Sequence, residues 1–360
     1  GITSGGAIRN TANSNTITGV VTLAADTEIQ SDSGTLTFDP SSGSAITGTF
    51  NLTFDANTGD VTVADPIATS TGNVTKSGTG TLTLAGANTY SGTTTINATG
   101  GTISVTGTLG ASSSPASYAG LITIGSSGTF SYASTSDQTL TSKITSAGAV
   151  SKSGTSTLTL SPATASDYTG TTSVNAGVVV VTAASAFGAS SAATTVASGA
   201  AVHVSGASLS IAEPFTISGT GISSTGAIRN LDVTGTNNNT ITGAITLGAT
   251  ASVGSDADTL TFDVSGTGTS FIAAAATSYG LTFVGAGNVT VSDAIVTPIT
   301  TLDKQGAGTL TLSAANTYTG ATTITTGTLA ASNDASLGST SGTTTVASGA
   351  VLSLSGTLTA

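Results

Sequence analysis

Cysteine, methionine and tryptophan are missing from this chain, histidine occurs once, and Lys, Arg, Asp and Glu together make up only 6% of its 360 residues. Without cysteine there is no thiolate catalysis and no cysteine-bound zinc. The same absence suits a chain that crosses an oxidising compartment without forming wrong disulfides. Soluble globular proteins carry roughly 25% charged residues, so this is not the surface of an ordinary cytosolic enzyme. Neutral hydroxyls must supply the solubility instead, which points to an extracellular setting. Six basic residues stand against seventeen acidic ones, for a net charge of -11. Nucleic-acid binding depends on basic patches that neutralise phosphate, which makes DNA and RNA poor partners. No stretch approaches the roughly 18 to 20 apolar residues of a membrane-spanning helix. The densest runs are VVVV at 178–181 and FIAAAA at 271–276, so no membrane insertion is expected within this segment. No basic-then-apolar signal opens the chain, and Gly1 reads as the start of a mature or excised segment.

What the chain does have is glycine, 47 residues of it, threonine in alternation, and internal repetition. GITSGGAIRN at 1–10 returns as GISSTGAIRN at 221–230, and the 13–39 segment returns at 237–263 with NTITG and TLTFD intact. LTFDANTGDVTVADPI at 52–67 returns as LTFVGAGNVTVSDAI at 281–295. KSGTGTLTLAGANTYSGTTTIN at 76–97 returns as KQGAGTLTLSAANTYTGATTIT at 304–325, with a looser copy over 152–175, and TTVASGA recurs at 194 and 344. A fixed repeat changes the meaning of every residue inside it. The chain therefore divides into a first unit at 1–220 and a second, incomplete unit at 221–360, read as one continuous array.

TLTF, TLTL, TTTI and VTV alternate apolar with hydroxylated residues at period two and are bounded by Gly, Asn, Asp and Ser, the signature of short half-buried strands. Threonine suits them because its branched carbon favours extended backbone. Good helix formers are scarce. Three short strands separated by glycine turns, followed by a new group of the same kind, fit the coils of an all-β solenoid better than a sandwich or a barrel. In the first motif Leu82, Leu84 and Ile96 are expected to face inward, and Thr81, Thr83 and Thr94 outward. With aromatics at 4%, the interior is expected to be a thin aliphatic column. Terminal coils of such a stack expose unpaired strand edges.

The motif at 76–97 and 304–329, with its degenerate form at 152–177, resembles the autotransporter-associated β-strand repeat. This is the passenger-associated repeat of Gram-negative surface proteins, read as G-x-G-T-L-T-L-x-G-x-N-T-Y-x-G-x-T-x-I-x-x-G-T-L. The resemblance implies a right-handed parallel β-helix, exported across two membranes and displayed or released outside the cell. It implies no catalysis.

Few residues are candidates for chemistry. His203 is the only possible base for a Ser-His-Asp relay or a histidine metal site, but the second copy carries Ser353 in its place, so an exposed strand position is expected. Asp26 and Glu28 sit two apart, as a glycosidase carboxylate pair could. Their counterparts are Thr250 and Ser252, and a charged edge that discourages sheet pairing is the simpler reading. Asp32 and Asp256, Asp39 and Asp263, and Asp65 and Asp293 persist between copies and are read as turn closers rather than calcium ligands. Asn88 and Asn316 are read as turn residues beneath covering tyrosines, Tyr90 and Tyr318. Lys76, Lys152 and Lys304 are expected to charge exposed turns, and Arg9 and Arg229 to pair with a carboxylate. Threonine rows raise the idea of an ice-binding face, against which stand irregular coil lengths. The N-x-T sequons at Asn51, Asn73, Asn97, Asn238 and Asn288 are expected from threonine content alone.

The sequence thus predicts a non-enzymatic extracellular stalk, passenger fibre or adhesin with no catalytic, cofactor-binding or metal residues. Its expected partners are further copies or further repeats at the solenoid ends, and host or environmental surfaces or glycans. A filament subunit polymerising head-to-tail is the alternative, and a β-helix carbohydrate enzyme the distant one.

Overall fold

A computed structural model describes residues 6–110, 115–231, 237–264, 270–273, 278–296 and 299–355. The chain forms two compact units, one of Gly1–Thr172 with Ser185–Ala189, the other of Ser173–Ala184 with Ser190–Ala360.

In the first unit the strands Ile8–Asn10, Thr27–Ser31, Leu52–Ala56, Val74–Ser77, Thr94–Ile96, Ile122–Ile124 and Ile144–Thr145 lie side by side in one parallel sheet. The strand that follows each of the first four in sequence joins a second parallel series, from Asn15–Ile17 through Thr35–Phe38, Asp60–Val63 and Thr81–Leu84 to Gly101–Val105, Gly128–Tyr132 and Ala149–Lys152. A short third series runs through Val21–Thr22, Ile46–Thr47 and Ile67–Ala68. Within each series a strand pairs with its equivalent one coil before and one coil after, the end strands with one neighbour, which makes a parallel β-solenoid and not a barrel closed on itself.

The second unit repeats the plan. One series runs from Ser210–Ile211 through Asn239–Ile241, Thr259–Phe262, Asn288–Val291, Thr309–Leu312 and Thr328–Ala331 to Val351–Leu354. The other includes Phe215–Gly219, Tyr279–Val284, Ile299–Lys304 and Ala321–Ile324. Its longest strand, Ile245–Ser255, serves two neighbours at once: Ile245 pairs with Phe215, Val253 with Ile228.

Alternation decides which side chains enter the core. Thr35, Leu36, Thr37 and Phe38 alternate half-buried and buried, as do Thr81, Leu82, Thr83 and Leu84. Leu82, Leu84 and Ile96 are inside, as the pattern predicts, each contributing roughly 1.5 to 3 kcal/mol of burial. Outward positions stack as well: Thr53, Thr75, Thr95, Thr123 and Thr145 occupy one column in register. The coils bearing them differ in length, and the difference is taken up outside the strands.

Two expectations are corrected. Thr94 is fully buried, not outward, because the phase of its strand is set by Ile96 two residues on. The interior is not purely aliphatic either. Phe38, Phe54 and Phe130 are buried in the first unit and Phe215, Phe262 and Phe283 in the second, with Phe38 and Phe54 edge-on at 6.5 Å. The few aromatics of the chain are concentrated in its core.

Glycine keeps the coils close at the turns. A Cβ on Gly80 would lie 2.1 Å from the carbonyl oxygen of Gly59, and one on Gly92 would lie 2.3 Å from that of Gly72. Side chains at these corners would push the stack apart.

Candidate functional site

The residues that recur with the motif converge inside the coils. In the first copy the Asn88 side chain accepts the Ile67 N–H at 3.0 Å and donates to the carbonyls of Gly86 (2.8 Å) and Thr108 (3.0 Å). One side chain thereby brackets backbone from three successive coil segments. Asn316 accepts the Ile295 N–H at 2.8 Å and donates to Ser336. In the degenerate copy Ser166 replaces the asparagine, and its Oγ accepts the Ile144 N–H at 3.2 Å. The position is a bracket between coils, and serine keeps the acceptor contact without the amide's two N–H donors.

Tyr90 and Tyr318 do not cover the coil; both are fully buried. A buried phenol needs a hydrogen-bond partner, and each finds the threonine four residues on: Tyr90 with Thr94 at 2.9 Å, Tyr168 with Thr172 at 2.6 Å, Tyr318 with Thr322 at 2.8 Å. Thr94 also meets the Tyr118 hydroxyl at 2.7 Å, and that hydroxyl donates to the Gly92 carbonyl at 2.6 Å. This is why Thr94 points inward. Burial pushes the Tyr118 phenol up to about 12 and raises Tyr90 and Tyr318 as well.

The lysines correct the sequence reading most sharply. Lys76, Lys152 and Lys304 are not on exposed turns; all three are buried. Each occupies an inward position of its strand, in register with an aromatic one coil earlier: Phe54, Tyr132 and Phe283 respectively. Lys76 Nζ donates to the carbonyls of Ser77 and Gly78, both at 2.7 Å. Lys304 Nζ donates to Gln305 at 2.9 Å and Gly306 at 2.7 Å, and Lys152 Nζ to Gly154. Burial pushes all three ammonium groups down to about 8, with Asp55 and Asp60 opposing the shift at Lys76 and Asp137 at Lys152.

These three places lie where the chain matches a known family. Residues 74–105, 150–181 and 302–331 match the passenger-associated-transport-repeat. Each match opens within the lysine strand and closes at the end of a strand in the following coil, so the repeat spans one full turn of solenoid and part of the next. No curated protein and no solved structure matches the chain.

Outside the repeats, several of the residues weighed for chemistry have structural partners. Both Asp26 carboxylate oxygens accept from Asn51, one from its backbone N–H at 3.0 Å and one from its side chain at 2.9 Å, which holds the carboxyl below its usual range. Asp26 sits in the turn before the strand that carries Glu28, so the two do not share a strand. Arg9 pairs with Asp32 at 2.7 Å, and Arg229 pairs with Asp256 through two parallel 2.7 Å hydrogen bonds. Asp293 accepts the Val264 N–H, whereas Asp39 and Asp263 are exposed just past their strands. Among the described residues, no group of three or more His, Cys, Asp or Glu side chains is placed to hold a metal ion.

His203 is another correction. It is buried rather than exposed, between Val180 and Arg229 in register, and burial with the neighbouring Arg229 charge pushes its imidazole down to about 4. Sequence reasoning passed over Glu213, which is 4% exposed with its carboxyl pushed up to about 7 by burial; Oε1 accepts from the Thr194 hydroxyl at 2.7 Å. It also passed over Asn10 and Asn230 of the GAIRN segments. Their side-chain amides donate to turn carbonyls, and their oxygens accept from Asn15 (2.6 Å) and Asn239 (2.8 Å). The recurrence of GAIRN with NTITG was the available signal.

Most of the sequons have an architectural reason. Asn51, Asn73, Asn238 and Asn288 each accept, through the side-chain oxygen, the backbone N–H of a residue one coil on, at 2.8 to 3.0 Å. The threonine two places later falls on an outward strand position. N-x-T is what such a strand entrance spells.

Proposed function

We propose that this chain is a non-enzymatic segment of an exported bacterial surface protein, a rigid β-solenoid stalk or passenger fibre. The passenger-associated repeat implies a surface or extracellular protein, and the solenoid supplies a scaffold built from neighbouring coils. The observation that carries the reading is the use to which the recurring polar side chains are put. Lys76, Asn88, Tyr90 and Thr94, with their counterparts in the third copy, are all turned inward onto backbone or one another. What repeats is the means of holding coils together.

Contact with a host surface or glycans then belongs to the outward hydroxyl columns or to other parts of the protein. On the Thr344–Val346 and Val351–Leu354 strands, Val346, Val351 and Leu354 are exposed at 44%, 50% and 58%, whereas Ile324 and Ala331, which register with Val346 and Leu354, are buried. These side chains await a covering coil, supplied either by further repeats or by a second copy.

Two measurements test the proposal. Antibody against the chain should label intact, unpermeabilised cells of the producing bacterium, and labelling that requires permeabilisation overturns the surface assignment. The purified chain should release no reducing ends from a panel of bacterial and plant polysaccharides. Release that vanishes in Asp26→Ala or Glu28→Ala would establish a carbohydrate enzyme instead.

A further inference from the structure

We propose that each of the two well-matched repeats is closed by an internal cation site: the carbonyls of the turn after the lysine strand form a cage for one small monovalent cation, the glycine of the following coil closes over it, and the chain supplies that cation as the ammonium of Lys76 or Lys304. In the first repeat Lys76 lies near the beginning of the match and Gly101 near its end, one coil later. The two meet. Gly101 has φ +86°, and a Cβ on it would lie 2.6 Å from Lys76 Nζ, 2.5 Å from the Gly78 oxygen and 2.6 Å from the Gly80 oxygen. The third match repeats this geometry. Gly327 has φ +73°, and its Cβ would lie 2.7 Å from Lys304 Nζ, 2.4 Å from the Gly306 oxygen and 2.5 Å from the Gly308 oxygen.

Lys304 also reaches the Thr326 carbonyl at 3.4 Å, so its ammonium faces oxygens of both coils. Backbone carbonyls are fixed dipoles without a formal charge, and a cluster of them suits a cation of single charge and ammonium size. The aromatic one coil back, Phe54 or Phe283, stands in register with the lysine on the opposite side. Asp55 and Asp60 are the charged groups that favour the Lys76 ammonium, while burial alone accounts for the lowered Lys304. The glycine is thus required by the ammonium as much as by its backbone angle. A repeat with a lysine in its opening strand and a closing G-T-I (101–103) or G-T-L (327–329) is self-closing, because its first coil holds the cation over which its second coil must fold.

Chemical rescue in the full chain tests the site. In Lys76→Met and Lys304→Met, backbone amides across 74–105 or 302–331 respectively should exchange with deuterium faster by roughly tenfold, the factor expected for loss of one charge-assisted hydrogen bond. Ammonium chloride should restore protection where tetramethylammonium chloride at the same ionic strength does not. The wild-type chain and Lys143→Met, which removes the half-exposed partner of Asp167, should show no such difference. Unchanged exchange in the two variants, or loss that ammonium does not reverse, overturns the cation site and leaves the lysine stem as mere packing. If the variants do not fold, lysine-selective nitrogen labelling of the wild type decides. The ammonium protons of Lys76 and Lys304 should exchange with water roughly tenfold or more slower than those of Lys143, and equal rates overturn the proposal.

Discussion

At the scale of the residue, the second unit contains two buried titrating groups of opposite sign whose effects on stability run against each other. His203 has a folded value near 4, below its ordinary 6.5, so the unfolded chain binds the proton more readily. Its contribution is complete above about pH 6.5 and is lost as pH falls through 4. Glu213 is the reverse. Its folded value near 7 exceeds the ordinary 4.5, so its contribution is complete below about pH 4.5 and is lost as pH rises through 7. Replacing Glu213 with Gln keeps an acceptor for the Thr194 hydroxyl and removes the ionisation. The variant should match the wild type in urea midpoint at pH 4.5 and exceed it at pH 7.5. A difference that stays constant between those two pH values would show that Glu213 does not titrate across that range. Neither group could be read from the sequence, because burial of His203 on an outer strand position and of Glu213 in the connection before Phe215 depends on what packs over them, and a lone His or Glu does not reveal that.

At the scale of the element, what the sequence made legible was the phase of each strand, and what it concealed was where the polar side chains go. Leu36, Leu82 and Leu310 announce the core through plain alternation, and the register follows from it. Thr94 looks like every other threonine of the chain; the phase set by Ile96 and the tyrosine four places earlier, present in all three copies, mark it as one that turns inward. The lysines misled for a related reason. A long aliphatic stem with a terminal charge fits an exposed turn equally well, and its burial becomes visible only when the carbonyls that receive the ammonium are in place. The asparagine bracket allows a graded test, since the chain already contains its weaker form. Asn88→Ala leaves the buried Ile67 N–H without its acceptor, a loss of roughly 1 to 3 kcal/mol, while the Gly86 and Thr108 carbonyls lose the amide donor but keep the backbone N–H of residue 88. Asn88→Ser, which copies the arrangement at Ser166, should retain the acceptor and cost less than half as much. Thermal unfolding of the two variants beside the wild type gives the comparison, and equal losses would mean that the bracket works through its amide donors alone.

At the scale of the whole molecule, a solenoid differs from a globular domain in what it tolerates, because each coil answers only to its neighbours. The first unit offers a direct trial. Val74 pairs with Leu52 on one side and Thr94 on the other, while Leu82 stands between Val61 and Ile103. Removing residues 74–93 therefore takes out one complete coil, and the coil beginning at Thr94 can settle on the one beginning at Leu52 with inward positions still inward in both sheets. Thr94 would lose the Tyr90 hydroxyl but keep that of Tyr118. Removing only 74–83 deletes fewer residues and does more harm, because Leu84 and the glycine turns after it arrive half a coil out of place and no register returns every apolar side chain to the interior. The longer deletion should keep a cooperative unfolding transition and β-rich circular dichroism with a modestly lower midpoint, and the shorter one should lose cooperativity or precipitate. Were the ten-residue deletion the better tolerated of the two, coil-by-coil stacking would not be the rule that holds this chain together, and the repeats would need another explanation than the solenoid.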